Sequence, residues 1–205
     1  MLYTLYSTRA VVNGFVDSTL LCRGRAERGQ TRGQLPATAG MVPAMSRLWF
    51  DTEFIDDGRR IELLSIGVVR DDGATYYAEP VEADREAANP WVRENVVPKL
   101  SGPQKARKEI AADLVHFAGA APEWWAYYAA YDWVALCQLF GPMVDLPDGW
   151  PMFCRDLEQL AVDLGIDIES SAPPSGKHHA LADAEWTRTA WEFCQSVKQR
   201  SESVR

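Results

Sequence analysis

Several absences narrow the class of this 205-residue chain before any motif is read. No apolar run is long enough to cross a bilayer, so a membrane protein is not expected. No two cysteines stand in a C-x-x-C pair. Cys22, Cys137, Cys154 and Cys194 are too scattered for a zinc site or a disulfide framework. The last three lie among apolar neighbours, which suits buried free thiols in a reducing cytoplasm. Internal repeats and low-complexity tracts are also missing. Basic charge is scarce: 21 Lys and Arg face 29 Asp and Glu, for a net charge of −8. That balance excludes a general phosphate-backbone binder, whose affinity rests on Lys and Arg. It does not exclude a protein whose acids face bound cations, because Mg²⁺ or Mn²⁺ reverses the local field.

What is present divides unevenly. Residues 1–44 hold five Arg against Asp17 and Glu27, which leaves 16 basic and 27 acidic residues after them. The segment keeps no period of two or 3.6, and Val11–Val12 and Leu20–Leu21 are too isolated to define a core element. Its Arg-rich, acid-poor composition faintly resembles a transit peptide. We read it as a disordered or artefactual extension, with translation starting at Met45. Residues 45–205 form the expected domain, long enough to bury a core.

From Leu48 the pattern becomes orderly. Leu48–Phe54, Ile61–Val69 and Ala74–Glu79 read as three strands, with the turn Asp71-Asp72-Gly73 between the last two. Short connections favour antiparallel neighbours. Pro80, Pro90, Pro98 and Pro103 limit helix in the next stretch to short pieces. The pattern then predicts a helix over Gln104–Ala118, a central aromatic strand over Glu123–Tyr128, and a helix over Tyr131–Phe140. A short strand at Met152–Cys154, a helix from Asp156 to Leu164 stopped by Gly165, and a long helix from Ala180 to Gln199 complete the set. The class is α/β: helices flanking a mixed central sheet.

The acids fall on this scaffold in a suggestive order. Asp51 and Glu53 are two apart on one strand, so both emerge from one face. Two carboxylates there repel each other and lose hydration unless a cation lies between them. Asp132 follows the fourth strand at the entry to a helix, and Asp183 lies in the first turn of the last helix, five positions after His178. All four acids can converge at one end of the sheet. Hydrolysis of a phosphodiester needs an activated water and a stabilised leaving oxygen; two hard cations held by carboxylates supply both. A histidine of near-neutral pKa can take the water's proton.

Asp51-Thr52-Glu53, Tyr131-Asp132 and His178-His179-Ala180-Leu181-Ala182-Asp183 resemble the three exonuclease motifs of the DEDDh group. That group includes proofreading exonucleases, RNase T and oligoribonuclease. The flanks Phe50–Gly58, Ile61–Gly67 and Ala130–Leu139 are more similar still to the actinobacterial 3′-5′ exoribonucleases of the RNase AS type. The resemblance runs from about Met45 to the last helix.

It implies an RNase H-like fold and a two-metal-ion 3′-5′ exoribonuclease that releases mononucleotides from single-stranded RNA, with adenylate-containing RNA favoured. It further implies that Asp51, Glu53 and Asp183 hold one Mg²⁺ or Mn²⁺. Asp51 would bridge to a second ion supported by Asp132, His178 would be the general base, and Glu53 would meet the terminal ribose. A homodimer is implied as well. Proofreading members carry Asn four residues before the third acid, where this chain has Tyr128, which weakens the match to the DNA branch. The alternatives are an exonuclease acting on single-stranded DNA or short oligonucleotides, and a catalytically idle nucleotide- or RNA-binding module.

Each signal alone has a plainer meaning. Asp-x-Glu is commonly a solvated strand edge, Asp132 could be a helix N-cap, and Asp183 suits a helix N-terminus. A histidine such as His178 is usually a loop residue. Their order and flanks argue jointly for the site. Phe54 and Ile55 follow the first pair directly and could stack on or wedge against the terminal base. Trp124, Trp125 and Trp191 read as core, and Trp133 as core or site wall. His116 reads as a helix-surface residue. Lys105, Arg107 and Lys108 read as a solvated helix face or an RNA contact.

Overall fold

The computed structural model describes residues 45–171 and 177–203, so the expectation for residues 1–44 lies outside the described residues. All described residues belong to one compact unit. Six strands form one sheet: β1 (Ser46–Asp56), β2 (Ile61–Arg70), β3 (Thr75–Pro80), β4 (Gln104–Lys105), β5 (Pro122–Ala126) and β6 (Arg155–Asp156). Their order is β4-β3-β2-β1-β5-β6. β1, β2 and β3 are antiparallel neighbours, while β5 runs parallel to β1, β6 to β5, and β4 to β3. The mixed α/β sheet flanked by helices agrees with an RNase H-like arrangement.

The helices are α1 (Pro90–Asn95), α2 (Arg107–Ala118), α3 (Ala130–Cys137), α4 (Leu157–Leu164), α5 (Ile168–Ser171) and α6 (Ala180–Ser203). Two faces of the sheet are covered by different partners. Leu48, Phe50, Ile66, Val68, Trp124 and Ala126 pack with Ile110 and Leu114 of α2 and Trp133 and Leu136 of α3. On the opposite face Trp49 and Trp125 meet Trp191 of α6 edge-on, at 5.2 and 6.0 Å. Trp133 is therefore a core residue, as are Trp124 and Trp125. A smaller cluster joins Ile55 and Leu64 to Val92 and Val96, anchoring α1 to the sheet.

Five boundaries differ from the sequence pattern. Gln104 and Lys105 are strand rather than helix, because Glu79 N–H donates to Pro103 and Val81 N–H to Lys105, both at 3.0 Å. β5 stops at Ala126, and Tyr128 turns the chain with φ of 53°. The sixth strand is Arg155–Asp156, paired with Trp125 and Ala126, whereas Met152 and Phe153 are exposed. α3 ends at Cys137, short of Phe140, and α6 continues past Gln199 to Ser203. Gly165 does stop α4, in a left-handed conformation that suits glycine.

Candidate metal centre

The site begins with Gly67. It pairs with Asp51 across β1 and β2, on the face covered by α6. A Cβ at Gly67 would lie 2.2 Å from Leu181 N and 2.4 Å from Ala180 C. Only a residue without a side chain admits the start of α6 this closely. The docked helix presents Asp183, in its first turn, to Asp51 and Glu53. One carboxylate oxygen from each of the three lies within 4.8 Å of the others. A β-bulge after Glu53, where the register jumps from Ser65 to Leu63, bends the strand pair beside them.

Crowding and burial leave these acids poorly disposed to ionise alone. Burial raises Asp51 well above the usual carboxylate range, and Asp132, Glu53 and Asp183 raise it further. Burial and the charges of Asp183 and Asp132 lift Glu53 to about 8, against the pull of Lys99. Asp183 is raised by burial, although the His178 N–H, donating to its Oδ2 at 2.7 Å, works the other way. Among the described residues no ion pair joins Asp51, Glu53 or Asp183 to a cation within 4.0 Å. Oxygen donors so placed fit a hard divalent cation, which would return all of them to the carboxylate form.

Asp132 reaches the site from the other face of β1. Its Oδ1 accepts from Thr52 N–H at 2.9 Å and from Thr52 Oγ1–H at 2.6 Å. It lies outside the three-residue cluster, yet its charge raises both Asp51 and Glu53. Burial pushes Asp132 up to about 6, with the Thr52 bonds opposing. The N-cap alternative does not apply, because Asp132 is the third residue of α3 and makes no capping bond.

His178 sits at the mouth of the cluster with φ of 68°, a left-handed backbone that costs a non-glycine residue about 1–3 kcal/mol. Trp91 of α1 packs its ring edge-on against the imidazole at 4.8 Å. Burial and the Lys99 charge lower the histidine's pKa below 6.5, favouring the neutral base. The neighbouring His179 points elsewhere: it stacks on Tyr77 at 4.7 Å, and its Nδ1 accepts from Ala182 N–H at 3.4 Å. A cleft of about 140 Å³ opens on Asp51, His178 and Asp183, walled by Tyr127 and Trp186.

Phe54 and Ile55 separate. Phe54 stacks on Tyr131, with centroids 5.9 Å apart and planes 11° from parallel, and Tyr131 is half exposed. Ile55 is only 6% exposed and packs into the α1 cluster. Lys105, in β4, pairs with Asp113 at 2.6 Å and Arg107 lies 3.9 Å from Glu62, while Lys108 is exposed on α2. Thr52, Trp91 and Lys99 carry no sequence signal of their own. Their partners Asp132, His178 and Lys177 lie roughly 80 residues away in the chain.

Residues 46–195 match the 3′-5′ exoribonuclease Rv2179c-like domain. Two relatives from Mycobacterium tuberculosis are the 3′-5′ exoribonuclease Rv2179c of strain H37Rv and the 3′-5′ exoribonuclease MT2234.1 of strain CDC 1551. Each is 47% identical over 146 residues, covering 67% of this chain and 86% of the relative.

Proposed function

This chain belongs to the Rv2179c-like 3′-5′ exoribonuclease family, and we propose that it shortens single-stranded RNA from the 3′ end with two Mg²⁺ or Mn²⁺ ions. The observation that carries the reading is the gathering of Asp51, Glu53 and Asp183 within 4.8 Å without a cationic partner. Asp51, Glu53 and Asp183 would hold one ion, and Asp51 with Asp132 the second. Such ions lower the pKa of bound water and neutralise charge on phosphate oxygens. His178, neutral and at the edge of the cluster, accepts the proton of the attacking water. The water oxygen would bond to phosphorus as the bond from phosphorus to the 3′-oxygen of the preceding nucleotide breaks; that oxygen takes a proton from solvent, and a 5′-mononucleotide leaves. Glu53 would meet the terminal ribose, and the exposed side of the Phe54–Tyr131 stack would receive a base.

The same reading includes a preference for adenylate-containing RNA, a homodimer, a cytoplasmic setting, and activity confined to residues 45–205. End-labelled single-stranded RNA with Mn²⁺ tests the activity: a one-nucleotide ladder is expected, and Asp51→Ala should slow it at least about a hundredfold, since removing even a supporting residue of a metal site costs 10–100-fold. Binding without cleavage would leave the idle module, and faster cleavage of a DNA ladder would favour the deoxy-substrate alternative. Poly(A) against poly(U), sedimentation, and a variant lacking residues 1–44 check the remaining points in turn.

A further inference from the structure

We propose that Lys99 is a substrate-binding residue of this site, a cation that receives a non-bridging phosphate oxygen of the RNA strand. The inference rests on the exoribonuclease reading and adds to it a contact supplied by the protein itself.

Lys99 closes a 3-10 turn, Val97–Lys99, that follows α1. The turn is tethered at its base, where Val92 and Val96 are buried against Ile55 and Leu64. The side chain crosses to the opposite wall of the site and donates from Nζ to the carbonyl of Lys177, the residue before His178. Trp91, from the same tethered segment, rests on the His178 ring. The segment thus touches the histidine turn twice, which holds the ammonium beside the residue that precedes His178. Its charge is felt there: it pulls Glu53, Asp183 and His178 downward together.

Arg47, Arg60, Arg70, Arg85, Lys105, Arg107, Arg155 and Arg188 each meet a carboxylate. Lys99 is exposed and meets a neutral carbonyl, so among the described residues its charge has no direct ion pair. Among the described residues Arg59, Arg93, Lys108, Lys177, Lys198 and Arg200 also lack an ion pair, but only Lys99 and Lys177 lie at the histidine turn. An ammonium has three donors, and the carbonyl takes one. The other two remain for an anion. A chain of net charge −8 gains from a fixed cation beside its acids, because a polyanion must approach them.

The test uses the full chain with Mn²⁺ and a single-stranded RNA that the unaltered protein cleaves, so that failure of the enzyme reading is seen first and separately. Lys99→Met should raise KM about tenfold, the usual scale for losing one charged hydrogen bond, with kcat within about threefold. The slope of log(kcat/KM) against log[salt] should become shallower by about 0.7, the value of one single-strand phosphate contact. Mn²⁺ affinity, measured by calorimetry without RNA, should stay the same or tighten. Lys99→Arg should recover most of the KM and the salt slope. An unchanged KM and slope in Lys99→Met would overturn the proposal. So would weakened Mn²⁺ binding that matches the KM change, or a Lys99→Arg variant as impaired as Lys99→Met; either would assign Lys99 to holding the histidine turn instead.

Discussion

Gly67 lies directly under the backbone of Leu181, and the contact is so close that a single methyl would sit 2.2 Å from the Leu181 nitrogen. This approach sets the distance between a middle strand and the first turn of the last helix. It therefore governs how far Asp183 stands from Asp51 and Glu53. Gly67→Ala should lift the start of α6, costing about 1–3 kcal/mol as overpacked sites do. We expect a lower Tm together with weaker Mn²⁺ binding. A variant that keeps full metal affinity would show that the helix start does not set the site.

The metal-free protein should lose stability as pH rises. Glu53 binds its proton up to about pH 8 in the folded chain but only to about 4.5 when exposed, and Asp51, Asp132 and Asp183 are shifted the same way. Between those limits the folded state holds more protons than the unfolded one, so deprotonation favours unfolding. In EDTA, Tm should fall from about pH 5 to pH 8. Excess Mn²⁺ should restore more Tm at pH 8 than at pH 5, because protons and the ion compete for the same oxygens. A metal-free Tm that climbs over this range would contradict the repulsion.

His178→Ala should reduce kcat by about 10²–10⁴-fold, the usual contribution of a positioned general base, while Mn²⁺ affinity is largely kept. Because burial and Lys99 lower its pKa, the acid limb of the kcat/KM profile should lie below pH 6.5. An identical acid limb in the variant would assign the proton to another group.

Thr52→Val deletes the 2.6 Å hydroxyl bond to Asp132 and keeps the backbone one. A hydrogen bond to a charged group is worth about 1.5–3 kcal/mol, so kcat should drop about tenfold or more. Far-ultraviolet circular dichroism should be unchanged. Full activity would mean that the backbone donor alone orients Asp132.

Much of this was legible in the chain. Alternation along Leu48–Phe54 located β1, and Asp51 with Glu53 two positions apart announced a shared polar spot on one face. Gly165 marked the end of α4, and the motif order gathered Asp183 and His178. Gln104–Lys105 and Arg155–Asp156 became strands only because distant backbone offered partners. Phe54 and Ile55, neighbours on one strand, point to opposite sides, so Phe54 meets Tyr131 and Ile55 the α1 cluster. Lys99 and Trp91 were invisible because their contacts exist only after folding.

The two sides of β1 carry complementary duties: Thr52 steers Asp132 from one, while Asp51 and Glu53 reach Asp183 from the other. A slip of one residue in this strand would exchange the two sets, since side chains alternate strictly. Hydrophobic packing by Trp49 and Phe50 is thus also the ruler that aligns the reacting groups.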